Sequence, residues 1–158
     1  MLMPELENIS IREGLDKIGT ALTLSGKEYL LSEVSDGTVK ALLLTLLLSL
    51  PKDSGPSMLA IDEPEVNLHL AWQKLLAKWI QTAGNFEQCF ISTHSPDFLD
   101  EFTESFLNGD VNVFTYTPFS EQKIRKIEVH ELKEILDQGW LLGDLYRTND
   151  PSIGGWPW

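Results

Sequence analysis

Met58-Leu59-Ala60-Ile61-Asp62-Glu63-Pro64-Glu65 is the stretch on which the reading of this chain turns. Four apolar residues run directly into two carboxylates and a proline. A short continuous apolar run reads as a central strand of a parallel sheet, buried on both faces. In an open α/β sheet, ligands collect where such strands end. Two successive carboxylates there suit nucleotide hydrolysis. The first can hold Mg²⁺, directly or through a water. The second is close enough to polarise an attacking water as a general base. Pro64 then fixes the chain as it leaves the strand. Strands also end in acids by chance, so the flanking sequence must carry the rest.

Downstream, residues 68–82 read as a helix. Leu68, Trp72, Leu75, Leu76, Trp79 and Ile80 form one apolar stripe at helical spacing. The two tryptophans suit a core better than a base-stacking platform. Ala83-Gly84-Asn85 closes the helix. Cys89-Phe90-Ile91-Ser92-Thr93 is a second buried strand ending at His94, and Pro96 opens a short helix running to residue 102. Upstream, Ser35-Asp36-Gly37 is a turn signal before a Leu- and Ala-rich helix over 38–50. Pro51 stops that helix, and residues 52–56 form a loop. Residues 27–31 read as a short strand, whereas 1–26 are mixed, with Ile9, Ile11, Leu15 and Ile18 ambiguously spaced. Residues 111–117 and 123–129 read as two strands of a hairpin at the sheet edge, joined by a Pro-containing turn. Closing helices follow over 131–137 and 140–147. The order strand, helix, strand predicts an α/β layered domain with mainly parallel central strands. Residues 1–158 read as a single lobe: an unassigned segment 1–30, a core 31–147 and a tail 148–158.

The composition narrows the function classes. With 158 residues, 42% of them hydrophobic, the chain can bury a core. Its formal net charge of −12 disfavours gripping a nucleic-acid backbone alone, because phosphate contacts need clustered Lys and Arg. The nearest basic run, Lys123-Ile124-Arg125-Lys126, alternates like a solvated strand face. The one cysteine, Cys89, sits in an apolar run and reads as a buried thiol in a reducing compartment. The most apolar stretch, 41–50, falls short of the roughly 20 residues that cross a bilayer, and the start lacks a signal-peptide pattern. A cytoplasmic protein without membrane contact is expected.

Two further motifs point at chemistry. His94, delivered to the same sheet edge as Asp62 and Glu63, can hydrogen-bond a γ-phosphate; it also suits a capping or structural histidine. Ser35, Asp36, Gly37 and Thr38 stand at a helix start, whose free N–H groups bind anions. Ser35 or Asp36 equally suits an ordinary N-cap. Ser92, Ser95, His94 and Asp97 superficially suggest a hydrolase triad, but sequence neighbours rarely converge in that geometry and no G-x-S-x-G elbow exists. His69, His94 and His130 lack zinc-ligand spacing. Trp140, Trp156 and Trp158 suit a partner-docking surface.

In order and spacing, these motifs resemble the C-terminal half of an ABC-type ATPase head of the RecF/SMC-like kind. They are particularly similar to the AAA ATPases of the overcoming-lysogenisation-defect and bacterial defence groups. The similarity lies in Ser-Asp-Gly-Thr at 35–38, Asp-Glu-Pro-Glu-Val-Asn-Leu-His at 62–69, Ser-Thr-His-Ser-Pro at 92–96, and Leu142-Gly143-Asp144-Leu145-Tyr146-Arg147. The resemblance implies a P-loop NTPase-type fold, with ATP and Mg²⁺ as ligands. It implies that Asp62, in the Walker B strand, helps hold Mg²⁺, that Glu63 is the general base, and that His94 is the switch histidine on the γ-phosphate. Ser35, Asp36, Gly37 and Thr38 become the signature motif, facing a nucleotide bound by the opposite head. Residues 65–69 become the D-loop at a dimer interface. One departure stands against this. The sequence holds no G-x-x-x-x-G-K-[ST] phosphate loop (Walker A), and its Gly26-Lys27 pair is followed by Glu28 with no Gly-rich loop before it. Nor is there a coiled-coil arm. The chain is therefore expected to hydrolyse ATP only in a homo- or heterodimer completed by a Walker A-bearing half. DNA or a nuclease would be reached through the full complex, in DNA repair, chromosome maintenance or phage defence. The alternative is a degenerate, non-catalytic module that docks on an ATPase or nuclease and regulates it.

Overall fold

A computed structural model describes residues 3, 5–13, 18–51, 58–82, 86–117 and 123–153. The expected loop at 52–56, the helix stop at 83–85, the turn after residue 117 and the tail at 154–158 lie outside the described residues. The chain divides into two compact units, Met1–Ser92 and Thr93–Trp158.

The first unit opens with an antiparallel sheet in the order β1 (Leu6–Glu13), β2 (Ile18–Leu24), β3 (Lys27–Leu30). The pairing of β1 with β2 shifts register between Leu6 and Asn8, and beyond that point Ile9 and Ile11 alternate regularly but on an exposed face, where no burial marks the strand. Between β2 and β3, Ser25 (φ 48°) and Gly26 (φ 75°) form a two-residue hairpin turn with both residues left-handed. The Gly26-Lys27 pair is thus turn chemistry.

Helix α1 (Asp36–Leu48) buries Ala41, Leu42, Leu44 and Leu48 and exposes Leu43 and Leu46. Burial on most sides was expected; one flank is instead open. Strand β4 (Met58–Asp62), helix α2 (Leu70–Thr82) and strand β5 (Gln88–Ser92) follow, with β4 and β5 parallel and in register from Met58↔Gln88 to Asp62↔Ser92. A parallel pair needs such a crossover, and the apolar run at 58–61 and the stripe on 68–82 foretell its two parts. The stripe buries Leu68 and Leu76, while Leu75 stays exposed. The parallel pairing is as expected, but among the described residues it is confined to β4 and β5; the other five strands pair antiparallel. Cys89 is a correction: it is exposed, not buried. A two-stranded sheet leaves every strand an edge. Although the residue is exposed, its thiol is partly desolvated, which pushes its pKa up.

The second unit comprises α3 (Pro96–Asp100), α4 (Thr103–Leu107), β6 (Val113–Tyr116), β7 (Ile124–Ile127), α5 (Val129–Asp137) and α6 (Leu142–Arg147). Strands β6 and β7 form an antiparallel sheet of their own. Phe106, Ile127, Leu132, Leu136, Leu142, Leu145 and Ile153 make the core. Gly139, with φ 95°, ends α5 in the left-handed cap that favours glycine. Among the described residues, no helix is long and apolar enough to cross a membrane.

Candidate functional site

The C-terminal end of the parallel pair is cross-linked. Asp62 stands opposite Ser92 in the register. The Ser92 hydroxyl donates to Asp62 Oδ1, and the Glu63 amide donates to the Ser92 carbonyl at 3.0 Å. Asp62 is exposed and Glu63 half-buried, so both carboxylates are reachable from solvent. Glu63 has φ 42° and Asn67 φ 65°. A left-handed non-glycine residue costs on the order of 1–3 kcal/mol and persists only where its surroundings hold it.

Those surroundings are the turn from Glu63 to Leu68 and the start of α1. The Val66 amide donates to the Glu63 carbonyl at 3.2 Å, and the Leu68 amide to the Glu65 carbonyl at 3.0 Å. Pro64, Glu65 and Leu68 point inward; Val66, Asn67 and His69 are exposed. Glu65 is only 4% exposed, unusual for a carboxylate. His69 starts α2: its carbonyl accepts from the Trp72 and Gln73 amides at 2.8 and 3.1 Å, and its Nδ1 accepts from the Ala71 amide at 3.3 Å. From α1, Lys40 Nζ donates to the Glu63 carbonyl at 2.6 Å and to the Val66 carbonyl at 3.1 Å. Gly37 is buried, and a Cβ there would overlap the Asn67 carbonyl oxygen.

At the start of α1, Ser35 Oγ accepts from the Thr38 amide at 3.3 Å and lies 3.0 Å from Thr38 Oγ1. Ser35 is therefore the N-cap, and Asp36 is an exposed first-turn acid. The fold thus brings Ser35–Thr38 and the Asp62–Asn67 turn together through Gly37 and Lys40. The sequence reads Gly37 together with Ser35, Asp36 and Thr38 as an anion-binding or capped helix start; the structure supplies a reason for glycine there, the Asn67 carbonyl. Lys40 and Ser92 were missed as site residues. A lysine within an apolar helix and a serine ending a strand carry no distinguishing pattern.

His94 belongs to the second unit, two residues beyond Ser92 in the chain. It is exposed, with Nδ1 3.4 Å from the Tyr146 hydroxyl. Ser95 caps α3, accepting from the Phe98 amide at 3.2 Å. Arg147 binds Asp97, Asp100 (2.8 Å) and Asp144 (2.9 Å), and these carboxylates hold its pKa above the ordinary value, Asp100 foremost. The Gly143 amide donates to Asp100 Oδ1 at 2.8 Å, and a Cβ at Gly143 would overlap the Pro96 carbonyl. Thus Ser95 and Asp97 serve helix capping and the α3–α6 lock, which accounts for them without a hydrolase triad.

Among the described residues, no three His, Cys, Asp or Glu side chains are grouped to hold a metal. Mg²⁺ keeps several waters and takes one or two carboxylates plus substrate phosphates. Asp62, with Ser92 beside it, offers hard oxygens of that kind.

A family model described as "AAA domain, putative AbiEii toxin, Type IV TA system" matches residues 9–100. Nothing among curated proteins matches the chain. The fold is similar to that of a solved SMC ATPase chain, from structural work on ATP-driven dimerization and DNA-stimulated activation of those enzymes. The identity is 14%, the TM-score is 0.55, and the match covers 87% of this chain and 83% of that one.

Proposed function

The chain belongs to this AAA-domain family, and from that premise we propose that it is the hydrolysis-side lobe of an ATPase head, contributing to a composite ATP site. The observation that carries the proposal is the end of the β4–β5 pair. It presents Asp62 and Glu63 in succession, cross-linked through Ser92, with Glu63 held in a left-handed conformation. All of Ser35, Asp36, Gly37, Thr38, Asp62, Glu63 and His94 lie inside the matched span. The fold likeness to the SMC ATPase chain, covering 87% of this chain and 83% of that one, supports an ATPase-type fold.

In this reading, Asp62 holds Mg²⁺, which when bound neutralises phosphate charge. Glu63 orients a water in line with the γ-phosphate and takes its proton as the new P–O bond forms and the bond to the β-phosphate oxygen breaks, releasing ADP and phosphate. The resemblance gives His94 the part of switch histidine; within the second unit its Nδ1 lies 3.4 Å from the Tyr146 hydroxyl. The capped end of α1 offers N–H groups to the γ-phosphate of a nucleotide held by a second head. The phosphate-binding loop comes from polypeptide outside these 158 residues, and ATP joins the two heads.

Glu63→Gln tests this in the assembly that hydrolyses ATP with this chain. Positioned general bases contribute roughly 10²–10⁴-fold, so kcat should fall by about that factor while the ATP-bound dimer persists on gel filtration. Undiminished turnover would remove Glu63 from the mechanism and the hydrolytic reading with it.

A further inference from the structure

We propose that Lys40 is a positioning residue for Glu63, fixing the backbone of the general base from helix α1. The inference rests on the reading of Glu63 given above. A lysine ammonium is donor-only and, drawn in from water, needs acceptors. Lys40 finds two, the carbonyls of Glu63 at 2.6 Å and Val66 at 3.1 Å. The Glu63 carbonyl also accepts from the Val66 amide, so a single cation sits over the carbonyls of this turn. Glu63 is the residue whose backbone is strained there, at φ 42°. A left-handed glutamate relaxes towards negative φ unless its peptide groups are held. Such a rotation would turn the side chain away from the place that Asp62 and Ser92 define.

Strand β4 cannot supply this restraint, because Glu63 lies beyond its last residue and keeps one ladder-like bond, from its amide to the Ser92 carbonyl. The opposite side of the turn is held from α1 alike, where Gly37 leaves room for the Asn67 carbonyl. The capped start of α1 and the turn of the base therefore form one piece. Displacement of the α1 end, by a phosphate or a partner head, is carried to Glu63 through Lys40.

The test compares Lys40→Met, Lys40→Arg and Glu63→Gln in the ATP-hydrolysing assembly, with steady-state kinetics and with amide hydrogen exchange across 63–68. Lys40→Met should lower kcat tenfold or more, leave KM for Mg-ATP within about twofold, and speed exchange of the Val66 and Leu68 amides. Lys40→Arg, which keeps the cation and its donors, should recover most of kcat. If Lys40→Met does not fold, Lys40→Gln takes its place with the same readouts. Wild-type kcat in Lys40→Met, or an equal loss in KM and kcat that Arg does not rescue, overturns the positioning role. Retained turnover in Glu63→Gln defeats the base assignment itself, so the two failures are distinguishable.

Discussion

Gly37→Ala separates two physical accounts of the same glycine. If Gly37 were only a first-turn helix residue, alanine would stabilise the protein, by up to about 1 kcal/mol of helix propensity and unfolded-state entropy. The structure predicts the opposite sign. The new Cβ would overlap the Asn67 carbonyl oxygen, a backbone atom that cannot swing aside as a flexible side chain would. Overpacking of this kind costs about 1–3 kcal/mol. Moving the Asn67 carbonyl also disturbs a turn with left-handed residues at both Glu63 and Asn67. Set against the propensity gain, the net loss should be about 1–2 kcal/mol. For a chain of this size that lowers Tm by about 2–8 °C. Thermal unfolding followed by circular dichroism reads it, with Gly19→Ala as the control, since a Cβ there meets only Leu30 Cδ2, at 3.9 Å. A Gly37→Ala protein with a raised Tm would refute the close approach of α1 to the 63–67 turn and would remove one of the two supports for coupling between them.

Two further outcomes concern the second unit. Arg147→Met removes the cation shared by Asp97, Asp100 and Asp144. Because Arg147 is partly exposed, solvent screening discounts the ion pairs, and a loss of about 1–2 kcal/mol in denaturant unfolding is expected; an unchanged midpoint would show that these ion pairs do not hold α6. The Glu131 carboxylate accepts from the Glu128 amide at 2.9 Å and from Arg125, and these bonds, the backbone one foremost, hold its pKa below the ordinary glutamate value. A depressed carboxylate stabilises the fold above its unfolded pKa, and that contribution is lost as pH falls through the lower, folded value. Glu131→Gln should therefore lower stability at neutral pH and flatten the acid limb of a stability–pH profile, where the wild type loses this contribution; identical acid limbs would sink the assignment.

The sequence by itself determined the local elements. The apolar run into Asp62-Glu63, the helical stripe after it and the second apolar run to Ser92 specify a β-α-β crossover through their lengths and apolar composition, although the strands expected to be buried on both faces are largely exposed, with Leu59 the buried residue of the pair. Ser35 as a cap was legible for a local reason: it satisfies a backbone group three residues from itself. Of the antiparallel meander, β3 was legible as the strand at 27–31, but β1 and β2 were not, since Ile9, Ile11 and Ile18 are exposed and no alternation of buried and exposed residues marks those strands. Only the tertiary structure decided that Cys89 is exposed, since exposure depends on what covers a strand and not on its composition. Only it showed that Gly37 makes room for Asn67, that Ser92 bonds Asp62, and that Lys40, 23 positions earlier in the chain, grips the carbonyl of Glu63. Those contacts join residues far apart in sequence, and no periodicity or propensity encodes a partner at that distance.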